Sequence, residues 1–108
     1  MGLPLWRECE FIVYATRGKF QRRTDKCLPG VFTFPVVAKK KIHVCSKPLE
    51  LMVELMEVVK PGGTVLEPFL GGGTTLKAAL KTGRAGVGIE LSEEYMAMAK
   101  ANILASDD

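Results

Sequence analysis

The sequence has no apolar run of the ~18 residues that a membrane-spanning helix needs, although 47% of its 108 residues are hydrophobic. It also lacks the apolar core of a secretory signal, because Arg7, Glu8 and Glu10 interrupt the N-terminal segment. A chain of this length forms one domain at most. We therefore predict a single soluble domain that is located in the cytoplasm.

The sequence also lacks the residue patterns that are typical of metal sites and disulfides. The three cysteines, Cys9, Cys27 and Cys45, include no Cys-x-x-Cys pair, and His43 is the only histidine. Thiols without such a pair are typical of reduced cytosolic cysteines. We predict no metal site.

Two familiar nucleotide-binding patterns are incomplete in the glycine-rich segment 70–75. A phosphate-binding loop needs Lys and then Ser or Thr after its last glycine, but Gly73 is followed by Thr74. The dinucleotide fingerprint needs a further glycine at the position that Leu76 occupies. Both ligand classes are therefore disfavoured.

The segment 65–75 is instead typical of a strand that runs into a glycine turn and then a helix. The apolar strand ends at Glu67, and the glycines from Gly71 to Gly73 allow close approach of a ligand to the backbone. Thr74 and Thr75 are expected to satisfy the first free N–H groups of the helix. This geometry can bind a small molecule at a helix N-terminus, although a merely flexible turn is the alternative.

A second carboxylate, Glu90, ends the next predicted strand. In a right-handed strand-helix-strand unit both parallel strands end at the same edge, so Glu90 should lie beside the glycine turn and accept hydrogen bonds from sugar hydroxyls. The combination favours a ligand that carries adenosine without a pyrophosphate. The alternative is that Glu90 is only a capping charge before Ser92.

Three segments in this order resemble the permuted DNA amino-methyltransferases, which methylate adenine N6 or cytosine N4 with S-adenosylmethionine. Residues 43–51 (HVCSKPLEL) resemble the family's His-Pro-Thr-Gln-Lys-Pro-Val-Glu-Leu block. Residues 65–75 (VLEPFLGGGTT) resemble its Val-Leu-Asp-Pro-Phe-Ala-Gly-Ser-Gly-Thr-Thr motif, and residues 88–95 (GIELSEEY) resemble the next one. The resemblance extends from about residue 10 to residue 104. Mild departures are Val44 for Pro, Ser46 for Gln and Glu67 for Asp.

The resemblance implies S-adenosylmethionine as the cofactor and assigns nine residues to it. They are Lys47, Pro48, Glu67, Phe69, Gly71, Gly73, Thr74, Thr75 and Glu90. Lys47 could reach the carboxylate of the cofactor's methionine moiety. The alternative is that Lys47 is a surface charge and that Pro48 merely begins a helix.

The family's catalytic Asp-Pro-Pro-Tyr or Asn-Pro-Pro-Tyr tetrapeptide is absent, and no two of the six prolines are adjacent. In the family this tetrapeptide holds the flipped-out base. We therefore predict that the chain supplies the methyl-donor half of an active site, contains no catalytic residue of its own, and is inactive alone. The alternative is a degenerate module that binds S-adenosylmethionine or DNA without catalysis.

Charge is distributed unevenly along the chain. Residues 1–47 contain ten Lys or Arg against three Asp or Glu, a net charge of +7, whereas residues 48–108 contain five against nine, a net charge of −4. The basic half is the predicted DNA-binding region, where loops can contact phosphates. Its candidate residues are Arg17, Lys19, Arg22, Arg23, Lys39, Lys40 and Lys41. The alternative is a solvated loop without a partner.

The predicted fold class is α/β: a partial Rossmann-like S-adenosylmethionine-dependent methyltransferase fold, with a parallel sheet flanked by helices and three or four of the family's seven strands. Residues 1–47 should form an edge strand and a basic loop region, and residues 48–108 a cofactor-binding βαβα unit with a preceding helix. The expected strands are 10–16, 30–35, 64–67 and 85–90. The expected helices are one that begins at Pro48, one over 74–81 that is closed by Gly83, and one over 92–104 that is capped by Ser92. The methionines at 52, 56, 96 and 98 are expected to be core residues. By resemblance, the strand 64–67 lies in the middle of the sheet beside a catalytic strand that is missing here, so one of its edges would be unpaired. We therefore expect a second polypeptide, self-association or a longer gene product to complete the sheet.

Overall fold

The computed structural model describes residues 9–19, 27–34 and 47–105. Its elements are α1 (Leu49–Leu55), a 3-10 turn (Met56–Val58), β1 (Thr64–Glu67), α2 (Thr74–Lys81), β2 (Ala85–Gly88) and α3 (Glu93–Leu104). The strands β1 and β2 pair in parallel. The structure therefore confirms the α/β class, with a parallel sheet flanked by helices.

The register of the sheet aligns the carboxyl ends of the two strands. Thr64 pairs with Ala85, and Glu67 pairs with Gly88. Ile89 extends the pairing beyond β2, because its N–H donates to the Glu67 carbonyl and its carbonyl accepts from the Leu70 N–H, both at 2.9 Å. The expected strand 85–90 thus ends two residues early, while the ladder of hydrogen bonds continues into the following turn.

Two small apolar clusters hold the helices on the sheet. In the first, Leu49, Met52, Val53 and Val65 pack against the buried residues Met56, Ala78 and Ala79, which join α1 to α2. In the second, Met96 and Ile103 pack against the buried residues Leu70, Leu76 and Ala99, which join α2 to α3. The second cluster lies directly beneath the turn between β1 and α2. Met56 is buried, and Met52 and Met96 are partly buried against these clusters, as predicted for core residues, whereas Met98, which was predicted with them, is half-buried and belongs to neither cluster.

The helix ends follow local sequence signals. Pro48 is the N-cap of α1, and Ser92 is the N-cap of α3, where its hydroxyl accepts a 3.2 Å hydrogen bond from the Tyr95 N–H. Gly83, with a φ of +76°, ends α2. The Gly83 N–H donates to the Leu80 carbonyl and the Arg84 N–H donates to the Ala79 carbonyl, which is the Schellman arrangement.

The predictions of a strand at 10–16 and a short strand at 30–35 are wrong for the residues that the structure describes there. Residues 9–19 and 27–34 form no strand, and Phe11 and Val13 are 95% and 91% exposed. High β propensity is insufficient, because a strand needs a neighbour for its backbone N–H and C=O groups. The described part of the sheet thus has two strands instead of three or four.

Candidate functional site

The turn between β1 and α2 contains two left-handed glycines. We call residues 70–73 the glycine loop. Gly71 and Gly73 have φ of +54° and +86°, which residues with a Cβ rarely adopt. The loop is closed by a 3.0 Å hydrogen bond from the Gly73 N–H to the Leu70 carbonyl. The chain therefore turns sharply from the carboxyl edge of the sheet into the first residue of α2.

The two left-handed glycines have different surroundings. A Cβ at Gly73 would lie 3.0 Å from the Ala99 carbonyl oxygen and 3.1 Å from the Ala99 Cα and Cβ. A Cβ at Gly71 would have no atom within 4 Å. Gly73 is thus required by the turn and by packing against α3, whereas Gly71 is required by the turn alone and borders open space.

The expectation that Thr74 and Thr75 cap α2 is wrong. Gly73 occupies the N-cap position, and no side chain caps this helix. Thr74 and Thr75 are the first two residues of the helix, one and two positions after the N-cap, which is too late for either hydroxyl to act as the N-cap acceptor. The first-turn N–H groups of α2, with their partial positive charge, therefore face the glycine loop without a side-chain cap.

Glu90 lies beside the glycine loop, as predicted, and joins it to the start of α3. Its Oε1 accepts a 2.7 Å hydrogen bond from the Gly71 N–H, and its Oε2 accepts a 3.0 Å hydrogen bond from the Ser92 N–H. The side chain is half-buried. The carboxylate therefore lies at the loop and also binds the backbone that begins α3, whereas its contact with sugar hydroxyls stays a prediction.

Glu67 brings a second carboxylate to the same edge. Its strand partner is Gly88, two residues before Glu90, so both residues lie at the carboxyl edge of the two-stranded sheet. The Glu67 Oε1 accepts a 3.0 Å hydrogen bond from the Phe69 N–H, and the Phe69 ring is 88% exposed. Two acidic side chains, an exposed aromatic ring and a helix N-terminus therefore border one turn.

Lys47 has a contact that the sequence did not indicate. Its ammonium forms an ion pair with the Glu10 carboxylate, and both side chains are about half exposed, at 49% and 52%. Pro48 begins α1, as one of the two interpretations expected. Their predicted contact with a cofactor stays a prediction. Residues 43–46 of the first motif lie outside the described residues.

Only part of the basic region can be placed. Arg17 and Lys19 are exposed, which is compatible with phosphate contacts and equally with a solvated loop. Arg22, Arg23, Lys39, Lys40 and Lys41 lie outside the described residues. Within the described ranges, no cluster of His, Cys, Asp and Glu side chains could hold a metal ion, and no helix is long and apolar enough to cross a membrane.

Asn102 contacts the loop although it lies outside all three motifs. Its Nδ2 donates a 2.8 Å hydrogen bond to the Gly72 carbonyl. Asn102 and Ala99 are three residues apart on α3, so they occupy the same face of this helix. The sequence contains a weak signal, an amide next to an apolar stripe, but nothing local that identifies Gly72 as its partner.

Comparison with known proteins identifies the family of this chain. The family model for DNA methylases of the N6/N4 type matches residues 11–101. The Type II methyltransferase M.BglI of Bacillus subtilis is 29% identical over 99 residues, which are 91% of this chain and 28% of that protein. The crystal structure of the M1.HpyAVI–SAM complex matches 69% of this chain and 37% of that chain, with a TM-score of 0.59 and 32% identity.

The chain thus spans about a third of the length of these relatives, at 28% and 37%. The structural match supports a partial Rossmann-like methyltransferase fold, in agreement with the parallel sheet and its flanking helices. Because the family model covers residues 11–101, more than half of the sequence, the chain belongs to the N6/N4 family of DNA methylases.

Proposed function

We propose that the glycine loop, Glu67 and Glu90 bind S-adenosylmethionine. The observation that carries this proposal is the meeting of two carboxylates and an uncapped helix N-terminus at the carboxyl edge of a parallel sheet. Ligands of open α/β sheets bind outside this edge. The structural similarity to M1.HpyAVI, which was crystallised with S-adenosylmethionine, supports the choice of ligand.

The chemistry of the available groups fits this cofactor. Ribose hydroxyls are hydrogen-bond donors, and carboxylates such as those of Glu67 and Glu90 accept from donors of this kind. The methionine moiety carries a carboxylate, which suits the positive end of α2. Open space beside Gly71 leaves room for a ligand. Lys47, Pro48, Phe69, Thr74 and Thr75 are proposed as further contacts.

We propose that the complete enzyme transfers a methyl group to the exocyclic amino nitrogen of adenine (N6) or cytosine (N4) in DNA. The bound cofactor would supply an electrophilic methyl group on sulfur. The residues of this chain would bind and orient that donor, and another segment would hold the base, because the sequence contains no Pro-Pro-Tyr element. Catalysis would then come from positioning and electrostatics. We expect the chain alone to be inactive.

A second polypeptide, or a second copy of the chain, is proposed to complete the sheet. Leu66, Val87 and Ile89 are large apolar residues of the sheet region, yet they are 62%, 53% and 54% exposed. Within the described residues, β1 pairs with β2 alone. Unpaired strand edges and contiguous apolar surface support association with another polypeptide segment. A chain that stays monomeric in light scattering at micromolar concentration and unfolds cooperatively would contradict this proposal.

A binding module without catalysis is the second candidate, and the missing Pro-Pro-Tyr element favours it. Addition of a polypeptide that carries this element distinguishes the two candidates. Methyl transfer to DNA after its addition would support the enzyme part. A lack of transfer under saturating cofactor would support the binding module.

Calorimetric titration of the purified chain with S-adenosylmethionine tests the proposed cofactor site. We expect saturable binding, and we expect Glu90→Ala to weaken it by about 1–3 kcal/mol, the scale for loss of hydrogen bonds to a charged group. Glu94→Ala is the matched control, because Glu94 is an exposed carboxylate in the first turn of α3. The proposal fails if the folded wild-type chain does not bind, or if both substitutions have the same effect.

A further inference from the structure

Asn102 restrains one peptide group of the glycine loop. Its Nδ2 donates to the Gly72 carbonyl at 2.8 Å in a partly buried contact. This carbonyl shares a planar peptide group with the Gly73 N–H, which donates to the Leu70 carbonyl at 3.0 Å. The orientation of the peptide group is therefore determined at both ends, by a side chain of α3 and by the turn itself.

Adjacent contacts hold the neighbouring residues of the loop. Ala99, fully buried and on the same face of α3 as Asn102, packs against Gly73 so closely that a Cβ there would lie 3.0–3.1 Å from its atoms. Glu90 accepts from the Gly71 N–H at 2.7 Å. Three consecutive glycines are thus held by three side chains, of which Glu90 alone was expected from the sequence.

We infer that Asn102 is a positioning residue for the cofactor site, acting through Gly72. The inference rests on the proposed function, since it concerns the same loop. Three adjacent glycines lose much conformational freedom when they become ordered. A side chain that orders them before the ligand arrives lowers the free-energy cost of binding, which is the effect of preorganisation. Asn102 therefore sets the affinity of the loop for S-adenosylmethionine.

Three substitutions at Asn102 separate the hydrogen bond from side-chain volume. Asn102→Ala removes the donor, Asn102→Asp keeps nearly the same size but presents only acceptors when ionised, and Asn102→Gln retains the donor on a longer side chain. Lys100→Ala is the control, because Lys100 is exposed on the same helix. We expect the Ala and Asp variants to bind S-adenosylmethionine about 3- to 10-fold more weakly, the scale of one hydrogen bond. The Gln variant should recover part of the loss, and the control should match wild type.

Amide hydrogen exchange without ligand provides a second measurement. In the Ala and Asp variants, exchange at residues 71–74 should become faster while exchange in β1 and β2 stays unchanged. A merely structural role would instead reduce protection in the strands as well, together with the melting temperature. The comparison uses the intact chain throughout.

The outcomes are distinguishable. If the folded wild-type chain does not bind S-adenosylmethionine, the proposed function fails and the inference about binding fails with it. If wild type binds and both the Ala and Asp variants bind equally well, the inference alone is overturned. Unchanged exchange at residues 71–74 in both variants would also overturn it.

Discussion

Leu76 packs on Gly88 because that glycine has no Cβ. A Cβ at Gly88 would lie 2.8 Å from the Leu76 Cδ1 and 2.9 Å from both Cδ atoms of Leu70, and a Cβ at Gly86 would lie 2.5 Å from the Leu76 Cδ2. In the dinucleotide fingerprint, a glycine on the helix permits this close approach of helix and strand. Here the small residues are on the strand, so a leucine can occupy the helix position.

Substitution of Gly88 tests this packing. Gly88→Ala should lower the free energy of unfolding by about 1–3 kcal/mol, because the added methyl group overpacks the contact with Leu76 and Leu70. Gly30→Ala is the control, since a Cβ there has nothing within 4 Å and its φ is not left-handed. Denaturant unfolding of both variants provides the measurement. An equal change in the two variants would contradict the assignment.

Substitutions at Gly71 and Gly73 separate two requirements of the glycine loop, the left-handed backbone conformation and the contact with α3. Gly71→Ala should cost about 1–2 kcal/mol of unfolding free energy, the cost of a left-handed residue with a Cβ. Gly73→Ala should cost about 1–3 kcal/mol more, because its Cβ also meets Ala99 at 3.0–3.1 Å. Urea unfolding measures the difference, and equal losses would show that the contact with α3 is unimportant. Ala99→Gly should rescue Gly73→Ala only in part, since two of the three atoms it would meet are backbone.

The proposed DNA contacts of the basic region predict a salt effect. Arg17 and Lys19 are exposed cationic side chains, for which contacts with phosphates, which carry no sequence information, are the expected mode. Arg17→Ala with Lys19→Ala should weaken binding to unrelated duplexes equally and reduce the slope of log K against log salt by up to about 1.8. Lys60→Ala with Lys100→Ala, which removes two exposed charges from the other half, is the control. Equal effects of the two double substitutions would mean that net charge alone governs binding.

The sequence predicted those features that depend on neighbouring residues. The bounds of β1 and α2 are as expected, Ser92 caps α3, and Gly83 ends α2. Each depends on local chemistry: an apolar run, a hydroxyl within reach of a nearby N–H, or a residue that tolerates positive φ. The glycine loop and Glu90 were also predictable, because parallel strands joined through a helix end at one edge of the sheet.

From residue 48 onward, the sequence by itself therefore determined the order of the elements, most of their ends and the position of the candidate site. Tertiary structure decided whether residues 10–16 form a strand, that Asn102 holds Gly72, and that Lys47 pairs with Glu10. These features depend on partners distant in the chain: 30 positions separate Asn102 from Gly72, and 37 separate Lys47 from Glu10. Local propensity determines which secondary structures a segment can form. Pairing and packing with distant residues determine which of these structures forms, because backbone and side-chain polar groups need hydrogen-bond partners.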